Sequence, residues 1–492
     1  MSVLRFSSAI FETCDVHYVF DPAFRRLEDE SMTQRQPSKV SPKNFFIYNV
    51  CYGETEGQEE EKILFFHPRD TNVDVKMREV GLSEAIVKFA ENFDAAECDA
   101  VHTKKTRKLF LQPEPNFWMI MTIHLPFGPR SSEVLEGSDY LGGDVETAVY
   151  QAVLKQAYST ARLFIGPFQS ILDANNGDTT VLKKKLDDFF KRYLLDLRLA
   201  DCDILNVFDG VQFLPLDRTT FLRSQCFVNL VEATFPVVSH SLLMYDGNLV
   251  WSGLNPEDVK VVYRYVCNSL LPKHLKANYL AKMGSSGSNV RLTRFVTGPD
   301  SLVDLVYSDK TPKVYLDKIQ RPGFFHLVVY KVHDLVICLF LPKNKDPLRL
   351  ELYRQLDVFL NERMSELITE IKSYRKSAPE QTEAPDTRYV YFNTMNLATK
   401  DSLRERKGNP SSDALVRALV RLHNHNVNLS KEGCLSSETF MRMSTDHWVI
   451  GRMSNFRQFY IAVERKKLSL QEVDDVAKRI CENKLKGIFF HV

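Results

Sequence analysis

Apolar positions in this chain change period in a regular order, and the order recurs. After residue 43, NFFIYNV and KILFFHP read as strands on either side of the acidic turn GETEGQEEE. Leu82, Ala85, Ile86, Phe89, Ala90 and Phe93 then fall at three- and four-residue spacing, which predicts a helix whose single apolar stripe faces the core. Strand-like runs follow around DAVHT, RKLFLQ and NFWMIMTIHL. Two helices close the unit, near 144–164 and 181–199, the second with Leu182, Leu186, Phe189, Phe190, Tyr193 and Leu197 on one face.

A second pass opens with a helix near 218–233 and the hairpin HSLLMYDGNLVWSG, where Asp246-Gly247 supplies a tight turn. A helix over 257–271 precedes four strands, RFVTGP, KVYLDK, FFHLVVYK and LVICLFLP. A long helix near 347–374 ends the pass, with Leu352, Leu356, Phe359, Met364, Leu367, Ile368 and Ile371 inward. The third pass is shorter: strand RYVYFNTM, helix 412–423, strands TFMRMST, HWVIGRM and QFYIAVERK, and helix 470–481. The fold class is α/β in its α+β form: three similar units, each an antiparallel meander flanked by helices. The expected organisation is a flexible extension at 1–43, domains at 44–200, 201–376 and 388–492, and a linker, SAPEQTEAPDT, at 377–387.

Composition narrows the function classes. The 64 Lys and Arg nearly cancel the 63 Asp and Glu, leaving +1 over 492 residues, which speaks against a polybasic nucleic-acid binder. Nine cysteines, scattered and never in a CxxC or zinc spacing, suit a reducing cytosol. The longest apolar run, Leu335 to Leu341, is far below the ~18 residues that span a bilayer, so membrane contact is expected to be peripheral.

Chemistry-bearing motifs are sparse. The chain has no phosphate-binding P-loop, no G-x-G-x-x-G after a strand, no H-E-x-x-H and no G-x-S-x-G, so neither a catalytic residue nor a metal or other cofactor is assigned. The Gly-rich piece Gly284–Asn289 reads as a loop. His423 and His425, two apart at a helix end, read as a surface pair, and Asp187-Asp188 and Asp474-Asp475 as solvated faces. Charge is segregated all the same. No acid lies between Val259 and Pro299, while Lys260, Arg264, Lys273, Lys276, Lys282, Arg291 and Arg294 do. Such a stretch is either a solvated loop or a dock for an anionic membrane surface or an acidic partner. The turn HTKKTRK at 102–108 is a second basic feature without an acid nearby. No stacking aromatics accompany either patch, which argues against nucleic acid.

Several unusual strings resemble one family. FFIYNVCYGETEGQEEEKILFFHP, GLSEAIVKF and NFWMIMTIHLP are similar to the first longin domain of the Ccz family. LPLDRTTFL, MYDGNLVWSGL, VYRYV and RFVTGP continue the resemblance, and so do YVYFNTMNLA and DHWVIGRMS. The likeness runs from about Asn44 to Val492. It implies a tri-longin protein that pairs through its first longin domain with a Mon subunit. The pair would act as a guanine-nucleotide exchange factor for a late-endosomal Rab-seven-type GTPase, and a scaffold subunit of the Bulli type would join in animals. The opening strand (Phe45, Phe46, Ile47, Tyr48) and the first helix (Glu84, Ala85, Val87, Lys88, Glu91) are the residues onto which partner and GTPase contact is carried. Ala85 and Phe89 are equally compatible with a role in the domain's own core. Lys273, Lys276, Lys282, Arg291 and Arg294 become candidates for an anionic or phosphoinositide membrane surface, with the protein cytosolic and recruited peripherally to late endosomes and lysosomes. A non-catalytic longin adaptor or tether is the competing expectation, since fold does not set function.

Overall fold

The structure is a computed structural model. It describes residues 38–484 apart from 54, 56, 93–97, 130–137, 141–144, 203, 277–293, 300, 304–310, 318, 320, 344–347, 378–386, 404–409, 444–446, 464 and 466–467. The chain divides into two compact units. One runs through Lys155 and takes in Asp178–Cys202; the other joins Gln156–Gly177 to the chain from Asp203 onward.

The first unit is built on a five-stranded antiparallel sheet of β1 (Ser41–Asn49), β2 (Ile63–His67), β3 (Ala100–His102), β4 (Thr106–Glu114) and β5 (Phe117–His124), in the order β2-β1-β5-β4-β3. Alternation along β1 sends Phe46 and Tyr48 to one face, where they meet Phe66, Phe110, Trp118 and Ile120 under the helix α1 (Val73–Glu91). Phe45 goes to the other face and packs with Phe65 against Phe190. A small ribbon, β6 (Phe127–Pro129) and β7 (Ser138–Tyr140), follows. α2 (Thr147–Ile165) passes from this unit into the other, α3 (Phe168–Ala174) is an added short helix, and α4 (Thr179–Asp196) returns to cover the Phe45 face. Leu182, Leu186 and Phe190 are its buried line, as the spacing predicts.

The second unit holds two sheets. α5 (Ile204–Phe208) and the two-residue strand β8 (Val211–Gln212) lead into α6 (Arg218–Thr234). The hairpin β9 (His240–Tyr245) and β10 (Asn248–Ser252) turns at Asp246 and Gly247, both at positive φ, as the Asp-Gly signal requires. α7 (Pro256–Tyr265) is capped by the Asn255 side chain, which accepts from the Glu257 amide, and runs on through a π turn at Val266–Leu270. β11 (Phe295–Thr297), β12 (Lys313–Leu316), β13 (Gly323–Val332) and β14 (Leu335–Pro342) complete a sheet of order β10-β9-β14-β13-β11, with β12 also on β13. β13 and β14 are apolar on both faces because α7 covers one and α6 with α8 (Leu350–Ser377) the other.

The last sheet comprises β15 (Thr387–Asn393), β16 (Ala398–Asp401), β17 (Ser436–Arg442), β18 (Trp448–Ser454) and β19 (Arg457–Val463), with α9 (Pro410–Lys431) and α10 (Leu470–Lys484). Its order is β17-β18-β19-β15-β16-β8, so β8, eleven residues past position 200, pairs in parallel with β16. The next residue, Phe213, bridges to Leu249 of the other sheet. The segment after the first domain thus laces the second and third sheets together, with the Phe208 ring against Phe392, His423 and Tyr460.

His423 is a correction to the surface pair expected above: His425 is exposed, but His423 is 7% exposed and lies in the core. Its Nδ1 lies 3.1 Å from Gln458 Oε1 and 3.2 Å from the Tyr460 hydroxyl. Two residues along a helix are separated by about 200°, so one faces the sheet while the other faces water.

Candidate functional site

α1 begins where Asn72 accepts a hydrogen bond from the Asp74 amide at 2.9 Å. The helix then lies on the sheet along Val80, Ser83 and Val87. The Ser83 hydroxyl donates to the Glu79 carbonyl, 2.8 Å away, and Lys108 Nζ reaches Glu79 Oε2 at 2.8 Å. Burial works against ionising Glu79, but the hydrogen bond and charge of Lys108 outweigh it and hold the carboxyl below its ordinary value. Glu84 is clasped by Lys62 at 2.9 Å and by Lys88 at 2.7 Å. Desolvation opposes its charge as well, and the two lysines again overcome it.

The expected stripe is therefore corrected. Leu82 and Phe89 are each 52% exposed, and Ala85 between them is exposed too. Ile86 and Ala90 are only half-buried, while Phe93 lies outside the described residues. The line that faces the sheet is rotated about the axis onto Val80, Ser83 and Val87. A hydroxyl at 83, satisfied by a backbone carbonyl, hides that line from a count of apolar residues. What the spacing identified is in large part a second, solvent-facing line: Leu82, Ala85 and Phe89 at i, i+3 and i+7, bordered by the exposed Lys88 and Glu91.

The site residues carried over by resemblance separate accordingly. Phe45, Phe46, Ile47 and Tyr48 are all buried, on a strand paired on both sides, so their side chains build the core and offer no surface. Val87 is buried for the same reason. Ala85, Lys88 and Glu91 are exposed on α1, and Glu84 is a partly covered carboxylate held by lysines. Leu82 and Phe89 complete the exposed face and were not among the assigned contacts. Their helical spacing was the available signal, and it was assigned to the core.

The basic stretch also looks different in three dimensions. Lys260 lies 3.5 Å from Asp209 and 2.9 Å from Glu257, and Arg264 lies 3.1 Å from Asp209. Arg294 faces Asp357 at 3.6 Å. Acids from before and after the stretch answer these three cations. Lys273 and Lys276 are exposed at the end of the helix that follows the π turn, and Lys282, Arg291 and the loop Gly284–Asn289 lie outside the described residues. In the turn at 102–108, Lys108 is likewise taken by Glu79. Asp187 pairs with Arg69, and Asp474 with Arg452 and Lys478. No described helix is long and apolar enough to cross a membrane.

Comparison with known proteins matches residues 43–166 to the model described as the first longin domain of INTU, CCZ1 and HPS4. Residues 238–368 match Intu longin-like domain 2, and residues 383–480 match Intu longin-like domain 3. A protein of Nematostella vectensis named vacuolar fusion protein CCZ1 homolog is 36% identical over 458 residues, covering 91% of this chain and 97% of the relative. One of the same name from Danio rerio is 34% identical over 472 residues, covering 93% and 96%. The likeness extends to Dictyostelium discoideum at 28% over 455 residues. Three longin matches in chain order, on three largely antiparallel sheets each flanked by helices, together with these near full-length relatives, place the chain in the CCZ1 family.

Proposed function

We propose that the chain acts in vacuolar and late-endosomal fusion as one subunit of a heteromeric guanine-nucleotide exchange factor. Its first longin domain joins a Mon subunit, and the pair promotes GDP release from a Rab-seven-type GTPase. The processes served are endosome maturation, lysosome or vacuole fusion and autophagosome fusion. The observation that carries this reading is the solvent-facing apolar line of α1, Leu82, Ala85 and Phe89, in the domain that matches the CCZ1 longin model. An apolar line on the outside of a packed helix suits a partner surface better than a solvated one.

An exchange factor makes no covalent bond. It binds the nucleotide-free GTPase more tightly than the nucleotide-bound form, and by linkage it weakens the nucleotide by the same factor. Accelerating release by ~10³ to 10⁵ requires on the order of 4 to 7 kcal/mol, which a shaped surface can supply. In this scheme the joint longin surface holds the switch I segment of the GTPase away from the nucleotide, loosening its Mg²⁺ and phosphate contacts. Lys273 and Lys276 supply charge for the anionic membrane that carries the lipid-anchored GTPase, with Lys282 and Arg291 as further candidates, whereas Arg294 is engaged by Asp357. A scaffold subunit of the Bulli type completes the assembly in animals.

The test is release of a fluorescent GDP analogue from a Rab-seven-type GTPase, with the chain alone and with its coexpressed Mon subunit. The expected result is fast release with the pair only. Equal release by the chain alone refutes a shared site. No release with either, despite a stable pair, assigns the protein instead to adaptor or tether work.

A further inference from the structure

A cleft of about 520 Å³ opens along β2, and four consecutive strand residues, Ile63 to Phe66, line it. Side chains along a strand point alternately to opposite faces, so four in a row share one cavity only through the backbone edge. The walls agree. Lys76 comes from α1, on the Phe46 and Phe66 face, and Lys183 comes from α4, on the Phe45 and Phe65 face. Among the described residues β2 is the end strand of its sheet and pairs only with β1. The cleft is thus an open sheet edge framed by one helix on each face, and what fits such an edge is another extended backbone.

The chain itself carries a fitting segment. Residues 16–20, VHYVF, lie outside the described residues; in sequence they form a run rich in β-branched and aromatic residues between Asp15 and Asp21, stopped by Pro22. Five residues match the four-residue floor. β1 begins at Ser41, four residues before Phe45, which pairs with His67, so the chain enters the sheet at the His67 end of β2. Residues 22–40 connect the run to that point, and at ~3.3 Å each they far exceed the roughly 10 Å across two strand spacings. At the same end Lys76 lies over the Phe66 ring and donates to the Arg69 carbonyl at 3.0 Å, while Arg69, also in the lining, is paired with Asp187 of the same cleft. A run lying parallel to β2 brings Asp21 to Lys76.

We propose that residues 16–20 of this chain add to the open edge of β2, parallel to it, as a further strand of the first sheet. Covalent tethering gives such a segment an effective concentration of about a millimolar, so weak edge pairing suffices to keep it in place. Docked there, it closes the edge against other extended chains.

Hydrogen exchange on the full chain, read on the fragment holding Ile63–His67, tests this against the double variant Val16→Pro/Tyr18→Pro, whose run has lost two backbone donors. The expected result is exchange at least tenfold faster in the variant; equal exchange overturns the proposal. A labelled peptide of residues 12–23 should bind the variant, whose cleft is vacant, and be excluded from the parent chain. Binding to neither, or to both equally, also overturns it. Lys76→Glu and Asp21→Lys should each speed exchange, and the two together should restore protection; three equal rates contradict the parallel placement. Protection that vanishes on dilution would assign the edge to a second copy and refute the intramolecular form.

Discussion

If α1 presents one line of side chains to its own sheet and another to a partner, truncating each line must damage a different property. Phe89 and Leu82 are each 52% exposed. At ~25 cal/mol per Å², covering the open half of each is worth about 2 kcal/mol for the phenylalanine and slightly less for the leucine. The double variant Leu82→Ala/Phe89→Ala should therefore weaken the complex with the Mon subunit by roughly 10² to 10³ in Kd. Its effect on the isolated chain should stay within about 0.5 kcal/mol per site, because little is uncovered there. Val87→Ala reverses the pattern: the side chain is buried among Phe46, Phe66 and Phe110, so its loss should cost about 2 kcal/mol of first-unit stability. Complex affinity is read by titration calorimetry, and stability by urea unfolding of the chain alone. If the double variant binds the Mon subunit with unchanged affinity, or loses as much stability as Val87→Ala, the two-line account of α1 is wrong.

Four more outcomes follow from local geometry. Burial holds the His423 imidazole neutral and lowers its pKa to about 4 from 6.5. The unfolded chain then takes up a proton that the fold refuses, so stability is lost as pH falls from 6.5 towards 4. The total is about 3 kcal/mol, and urea midpoints of the parent chain and a His423→Gln variant should converge in pH dependence only outside that window. Gly81 sits inside α1 with open space where a Cβ would stand, so Gly81→Ala should raise thermal stability by about 0.5–1 kcal/mol. At Gly451 an added Cβ would come within 2.8 Å of Leu422, so Gly451→Ala should destabilise the third sheet by roughly 1–3 kcal/mol, seen as a lower urea midpoint by Trp448 fluorescence. Finally, Lys273→Glu with Lys276→Glu should lower exchange on anionic liposomes and leave exchange in solution unchanged; equal loss in both assays would remove the membrane role from this helix end.

Period and turn chemistry carried most of the fold. The five strands of the first sheet, the Asp246-Gly247 hairpin and the buried line of α4 all stand where alternation and spacing put them, because these patterns depend only on backbone geometry. Short elements were missed. β8 and β16 have two and four residues, too few to show a period; β16 is fixed by its ladder with β15, and β8 by its pairing with β16. The candidate site was legible as a helix but not as a surface. Spacing establishes that Leu82, Ala85 and Phe89 share a face, yet which face meets the sheet depends on how Val80, Ser83 and Val87 pack against β-strand side chains distant in sequence. Charge behaves in the same way. The acid-free stretch is a property of the chain, while its neutralisation by Asp209 and Asp357 is a property of the fold, since ion pairs form through space. The sequence by itself determined the elements, their order and the family; the tertiary structure decided which apolar and charged residues remain available to a partner, because availability is what packing leaves over.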